Sequence, residues 1–410
     1  MRRIALVLAL LASAGAPASA RADTVLDGST DGGAFFRIVV PTAWNGDLAI
    51  WNHGFSLSPI GPVSDLGPLA ALQLSQGYAV AASSYQQRGW ALFKTKNDLQ
   101  NLVGVFKANF GAPGQVLVTG ASLGGIVTAA AVEKANLGNL TGAFTFCGAN
   151  AGSRNWDGAL DLRLVYDAIC SSVPGAAIPG GAEGLPAGST RTVNDNALSA
   201  HACFGILAPP AFRTPAQAAR LAQFLAETDI PENFVVTDVA FYTTLGMADL
   251  VHDPAKLDGR VGVGNLGVTY EDPAIDAAIA RVAAQPGAAN RLRKNFTPDG
   301  SVGATRNVAL YTDKDGLVIV ENGSEYASVV PAANLSLAVA VEAVPTHCGF
   351  TNAEVASGWE SLRGWVAGGP QPTPASLQGT CLALAPFFGG PCRIAPAFAI
   401  PDMDGRIPPR

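Results

Sequence analysis

The chemistry on offer in this chain centres on one short run, Gly120-Ala121-Ser122-Leu123-Gly124-Gly125. A serine held at a sharp strand-to-helix turn needs small neighbours, because its own backbone is strained and the helix must pack close to the strand. Gly120 and Gly124 supply that freedom in a G-x-S-x-G pattern. A chain with 46 glycines produces such a pattern by chance, so its context has to decide. The run Gln115 to Thr119 is short and β-branched, and Ile126 to Ala135 reads as a helix, which is the placement the motif demands.

A serine hydroxyl is a weak nucleophile until a base takes its proton, and imidazole is the usual base. Of the four histidines, His53 belongs to an early loop, and His201 and His252 fall in the middle of the chain. His347, in Val344-Pro345-Thr346-His347-Cys348-Gly349, follows the last expected strand, where a loop can carry its ring over the sheet edge. An acid must then orient the imidazole. Asp313 and Asp315 both follow the strand Val308 to Tyr311. Asp315 is favoured, because Gly316 permits a turn and Leu317-Val318 can anchor the loop; Asp313 is the alternative. The order Ser, Asp, His is that of one hydrolase type among three common orders.

Developing charge on an attacked carbonyl oxygen calls for two N–H donors. Leu123, next to the serine, is one candidate. The other comes from Asn52-His53-Gly54-Phe55-Ser56, with Phe55 preferred and Gly54 beside it. Tyr85 and Trp90, in the loop after another strand, are candidates to line a substrate pocket, as are Asn150 and Trp156.

The elements that must position these residues alternate. Asp47 to Trp51, Gly77 to Ala82, Gln115 to Thr119 and Gly142 to Cys147 read as buried strands, with helical stretches at Pro68–Ser75, Asp98–Phe110 and Ile126–Ala135 between them. That rhythm predicts an α/β fold with a mostly parallel sheet covered on both faces. It breaks after residue 150 into an Ala-, Gly- and Pro-rich stretch with helical pieces at 215–227 and 273–284, read as a mainly helical cap. It resumes with a strand at Asn307–Tyr311, a helix near Asn322–Val330, a strand near Leu335–Val344 and a helix at Asn352–Ala367. The expected division is a leader at 1–20, core at 21–150 and 301–368, cap at 151–300, and an irregular, disulfide-tethered tail at 369–410.

The leader reading rests on Met1-Arg2-Arg3, an apolar run from Ile4 to Leu11 and small residues ending at Ala20, the layout of a signal peptide cleaved near Ala20 and leading to a secreted or periplasmic product. No later run of about twenty apolar residues escapes interruption, so no mature membrane span is expected. With 49% apolar and 14% charged residues there is material for a large core. A net charge of -6 without a basic cluster argues against nucleic acid. Six cysteines in an exported chain favour disulfides, and without a CxxC pair a zinc site is not expected.

With His53-Gly54, the Ser122 turn, Asp315-Gly316-Leu317-Val318 and His347 on the page, the chain resembles the α/β-hydrolase superfamily in its esterase and lipase part, over residues 45–150 and 305–367. The resemblance implies a serine esterase, a carboxylesterase-type hydrolase acting on a small or polymeric ester through an acyl-enzyme, with no metal or organic cofactor. His347-Cys348 is also similar to tannase and feruloyl-esterase relatives, in which a cysteine beside the histidine is bonded to one beside the nucleophile. Here Ala121 stands before Ser122, so Cys147 is the substitute, and the expected pairs are Cys147–Cys348, Cys170–Cys203 and Cys381–Cys392. A secreted serine peptidase on the same fold and a non-catalytic binding protein on the same scaffold are the alternative readings.

Overall fold

The computed structural model describes residues 22–410, and the expected leader lies outside the described residues. Eight strands form one sheet: β1 (Thr24–Ser29), β2 (Phe35–Val40), β3 (Leu48–Asn52), β4 (Ala79–Ser83), β5 (Val116–Ala121), β6 (Leu140–Phe146), β7 (Arg306–Thr312) and β8 (Leu335–Ala340). Their order is β1-β2-β4-β3-β5-β6-β7-β8. The first two form an antiparallel hairpin, β2 runs antiparallel to β4, and the rest are parallel. The chain leaves β3 for β4 on one side and returns to β5 on the other. The carboxyl ends of β3 and β5 therefore flank a topological switch point, where an open α/β sheet has its crevice.

The strands alternate as a two-sided buried sheet requires. Leu48 and Ile50 of β3 and Val116 and Val118 of β5 enter one apolar layer, with α2 (Thr95–Phe110) and α3 (Leu123–Lys134). Ala49, Trp51 and Leu117 face the opposite layer, which Trp359, Leu362 and Leu377 complete from α12 (Asn352–Val366) and α13 (Pro374–Phe388). Helix α1 (Ala70–Ser75) links β3 to β4, and α11 (Asn322–Val329) links β7 to β8.

Between β6 and β7 the chain runs through α4 (Arg154–Cys170), α5 (Val193–Phe204), α6 (Pro215–Thr228), α7 (Val235–Thr237), a π-helix at Asp238–Gly246, α8 (Met247–His252), α9 (Pro273–Ala278) and α10 (Pro286–Phe296). This segment shares its apolar layer with the sheet. The Trp156 ring meets Phe296 at 4.3 Å and Trp90 at 4.8 Å, inside the cluster that holds Ile50 and Val118. The stretch Glu232–His252 is long and apolar enough to cross a membrane, but it is mostly buried as a core helix of this fold.

Several boundaries differ from the sequence reading, each for a local reason. The tail is not irregular: α13 starts at Pro374, whose missing N–H costs nothing at a first helical position, with Thr373 and Ser376 closing a capping box. Gly389 ends it, and Leu377 and Cys381, one turn apart, bury its inner face. The helix expected over 273–284 stops at Ala278, because Asn265 captures the following chain through the Ala280 carbonyl and the Val282 N–H. Strand β8 ends at Ala340, four residues early, and Val344 is exposed. The edge strand β1 was not read at all; Val25 and Leu26 are adjacent rather than alternating with polar residues, and Val25, Asp27 and Ser29 face solvent.

Candidate active site

Ser122 sits between β5 and α3 with φ 55° and ψ −125°, a conformation that costs a non-glycine residue about 1–3 kcal/mol and persists only where the surroundings impose it. The glycines show how they do so. A Cβ on Gly120 would lie 2.1 Å from the Gly124 carbonyl oxygen, one on Gly124 would lie 1.9 Å from that of Asn52, and one on Gly125 would lie 2.4 Å from the Gly148 Cα. Strand, helix and the two neighbouring loops are thus packed backbone to backbone around the serine.

Three side chains from three loops meet there. Ser122 Oγ lies 3.0 Å from His347 Nε2, and His347 Nδ1 lies 2.8 Å from Asp315 Oδ2. A carboxylate only accepts, so Nδ1 carries the proton and Nε2 is free to accept from the serine hydroxyl. The Asp315 side chain is fully buried and takes three further donors: the Leu317 and Val318 N–H at Oδ1, both at 3.0 Å, and the Cys348 N–H at Oδ2, at 3.1 Å. Those bonds fix the carboxylate plane, and Gly316 permits the turn because a Cβ there would strike the Phe234 ring at 2.5 Å. Asp313 faces elsewhere, accepting from the Glu342 N–H at 2.7 Å and clipping the ends of β7 and β8 together.

Cys348 is bonded to Cys147, at the end of β6, so the histidine loop is tied to the strand beside the nucleophile strand. Both half-cystines have positive φ, 43° at Cys147 and 55° at Cys348. The other disulfides join Cys170 to Cys203 and Cys381 to Cys392. Among the described residues, only Asp315, His347 and Cys348 bring metal-ligand atoms close together, and the Cys348 sulfur offers no thiolate because it is bonded to Cys147.

The loop after β3 lies against this chain. Asn52 is buried and its amide donates to Thr128 Oγ1 at 2.9 Å, bracing the loop on α3. Gly54 abuts the serine: a Cβ there would lie 3.5 Å from Ser122 Cβ and 3.9 Å from Oγ. Neither the Leu123 nor the Phe55 N–H has an acceptor among the described residues.

The order of the sheet, the strained serine after β5 and the loop after β3 that abuts it together decide the architecture. The fold is that of the α/β-hydrolases. Solved structures with a similar course include lipase A of Candida antarctica in its closed state, at 12% identity and a TM-score of 0.44, covering 94% of this chain and 84% of that one. An esterase from Aspergillus oryzae matches at 13% identity and a TM-score of 0.48, covering 85% and 80%. The rice cell wall degrading esterase LipA from Xanthomonas oryzae matches at 11% identity and a TM-score of 0.38, covering 84% and 88%. No protein-family description and no curated protein matches the sequence.

The expected pocket aromatics take other places. Tyr85 is completely buried and has no surface to offer a ligand; its hydroxyl donates to the His53 carbonyl at 3.2 Å. Trp90 is nearly buried, donates its indole N–H to the Gly246 carbonyl at 2.8 Å and backs the Phe55 ring at 4.7 Å. Asn150 and Trp156 are buried as well, Asn150 donating to Tyr311 Oη at 3.0 Å. The loops after strands did gather at the switch point, but large rings there bury themselves in a second layer.

Three features escaped the sequence reading. Phe241, from the π-helix, meets the Phe55 ring at 5.5 Å and brings the inserted segment against the loop after β3. Lys256 is fully buried and donates to Asp249 at 2.5 Å and to the Arg88 carbonyl at 2.9 Å, while Asp249 also accepts the Trp90 N–H at 2.9 Å. Asp238, fully buried on the π-helix, has no hydrogen-bond partner at either oxygen among the described residues. Burial, and then the nearby Asp315 charge, hold its carboxyl well above the usual range against the pull of Arg406. Gly316 and Leu317 also wall a cavity of about 400 Å³ with Leu162, Tyr242, Arg406 and Ile407; Ser122 and His347 do not line it.

Proposed function

We propose that this chain is a secreted serine hydrolase that cleaves carboxylic esters through an acyl-enzyme. The observation that carries the reading is the unbroken hydrogen-bonded series from Asp315 through His347 to Ser122. His347 Nε2 takes the Ser122 hydroxyl proton as Oγ bonds to the ester carbonyl carbon, and the carbonyl π pair moves onto its oxygen. The Leu123 and Phe55 N–H groups, both without another acceptor, meet that oxyanion, with Gly54 letting it approach. The oxygen's electrons return as the carbon–alkoxy bond breaks, and His347 gives its proton to the departing alcohol. Water then repeats the sequence on the acyl-serine, releasing the acid and restoring the hydroxyl.

Asp315 holds the imidazole in the required tautomer and faces the cation that forms. The mechanism calls on neither a metal nor an organic cofactor. Preference for esters over amides comes from the resemblance to esterases and lipases, and export from the leader pattern at 1–20, which three disulfides suit. Residues 151–300 form a cap over the core at 21–150 and 301–368, and residues 369–410 a tether. Hydrolysis of p-nitrophenyl acyl esters tests the reading: Ser122→Ala is expected to abolish it, and wild-type rates in that variant would overturn the proposal.

A further inference from the structure

On the reading of Ser122 as nucleophile, we infer that His53 is a positioning residue that aims the Phe55 N–H at the oxyanion. His53 Nδ1 lies 2.7 Å from the Gly54 carbonyl oxygen. A carbonyl only accepts, so Nδ1 carries the proton and donates. The peptide joining Gly54 to Phe55 is trans, which sets the Gly54 C=O and the Phe55 N–H on opposite sides of one plane. Drawing the carbonyl onto the imidazole therefore turns the N–H away from it.

The rest of the loop fits that direction. The Asn52 and His53 carbonyls both lie against Gly124 at the start of α3, 1.9 and 2.8 Å from where its Cβ would be, and Gly54 lies against Ser122. The Asn52 and His53 carbonyls thus sit at the serine's helix, the latter also accepting from the Tyr85 hydroxyl, while the Gly54 carbonyl turns to the imidazole. Without the imidazole, that peptide could rotate and present a carbonyl to the substrate oxygen, adding repulsion where a donor is needed.

The imidazole is itself held. Its ring stacks on Tyr85 with centroids 4.2 Å apart and planes 23° from parallel, and the Tyr85 hydroxyl donates to the His53 carbonyl. Tyr85 has φ 55°, and its N–H donates to Ser83 Oγ at 3.1 Å, so its place is fixed by the end of β4. The buried tyrosine read from the sequence as a pocket wall thus serves as the rest on which the imidazole lies.

Two variants separate the hydrogen bond from the packing. His53→Phe keeps a flat ring on Tyr85 and removes the donor, whereas His53→Asn keeps a donor near the Nδ1 position and removes the stacking. With p-nitrophenyl acetate, His53→Phe is expected to lower kcat at least tenfold with little change in KM, a part of the roughly 10²–10³-fold that one oxyanion donor commands. Its phosphonylation by a p-nitrophenyl phosphonate should slow in parallel, while His53→Asn recovers most of the rate. Equal kcat in wild type and His53→Phe would overturn the inference. So would equal losses in both variants accompanied by a lower Tm or a raised KM, which would mark a packing role. If the wild type neither hydrolyses the ester nor reacts with the phosphonate, the reading of Ser122 has failed instead.

Discussion

Asp315 and Asp313 stand two residues apart and are equally acidic on paper, yet one holds His347 and the other clips two strand ends. Their amide variants should differ accordingly. Asp315→Asn places a possible donor against Nδ1 and favours the wrong tautomer, so kcat is expected to fall on the order of 10³–10⁴-fold with KM little changed. In Asp313→Asn the acceptor of the Glu342 N–H survives, and kcat should stay near wild type. Steady-state kinetics decide; the reverse pattern would move the acid to Asp313. The three residues of the hydrogen-bonded series were legible in the sequence because glycines flank the serine, histidines are few and the acid precedes a turn. Asp238 was not legible, because nothing in its neighbours marks a carboxyl that the fold seals without a partner. Its carboxyl binds a proton more tightly folded than unfolded, so the native state holds more protons above the ordinary value of 3.8 and stability is lost as pH rises through the window up to the raised native value. Asp238→Asn should therefore raise Tm at pH 8 and lose that advantage towards pH 4. A difference independent of pH would contradict a carboxyl that burial holds above its ordinary range.

At the scale of elements, the turn between β5 and α3 is built from glycines that do different things from glycines elsewhere. Gly124→Ala would drive a Cβ into the Asn52 carbonyl and part the serine from the donor loop, so activity should collapse. Gly104, exposed in α2 with nothing near it, offers the contrast: Gly104→Ala should stabilise by about 0.5–1 kcal/mol and leave kcat unchanged. Thermal melts and ester hydrolysis on the two variants check both, and an active Gly124→Ala would undo the packing argument. The buried strands were legible as apolar runs too short for a helix and flanked by glycines such as Gly46, Gly77 and Gly114. Helix α13 was missed because Pro374 and Gly389, counted as breakers, stand where a helix starts and stops. Helix α9 was overrun because the apolar spacing continues while Asn265, far back in sequence, takes the backbone away.

Over the whole molecule, the inserted residues are part of one apolar layer with the sheet and are bolted to it by a buried charge. Lys256 joins Asp249 to the loop that follows β4 and carries Trp90, beneath Phe55. Removing only the cation leaves Asp249 sealed without its partner, so Lys256→Met should cost about 3–5 kcal/mol in urea unfolding. A loss below 1 kcal/mol would show that the inserted residues are held by packing alone. Such a bolt is invisible in sequence, because nothing in the run from Asp249 to Lys256 shows that the loop carrying Arg88 and Trp90 folds against it.

If Ser122 is the nucleophile, a reagent that bonds only to an activated serine should trap it. The intact protein is treated with a fluorophosphonate at neutral pH, and the adduct is located by peptide mass spectrometry. One phosphonyl group is expected, on the peptide carrying Ser122, absent from Ser122→Ala and slow to form in Asp315→Asn. No adduct, or an adduct on another residue that persists in Ser122→Ala, would rule out Ser122 as the nucleophile.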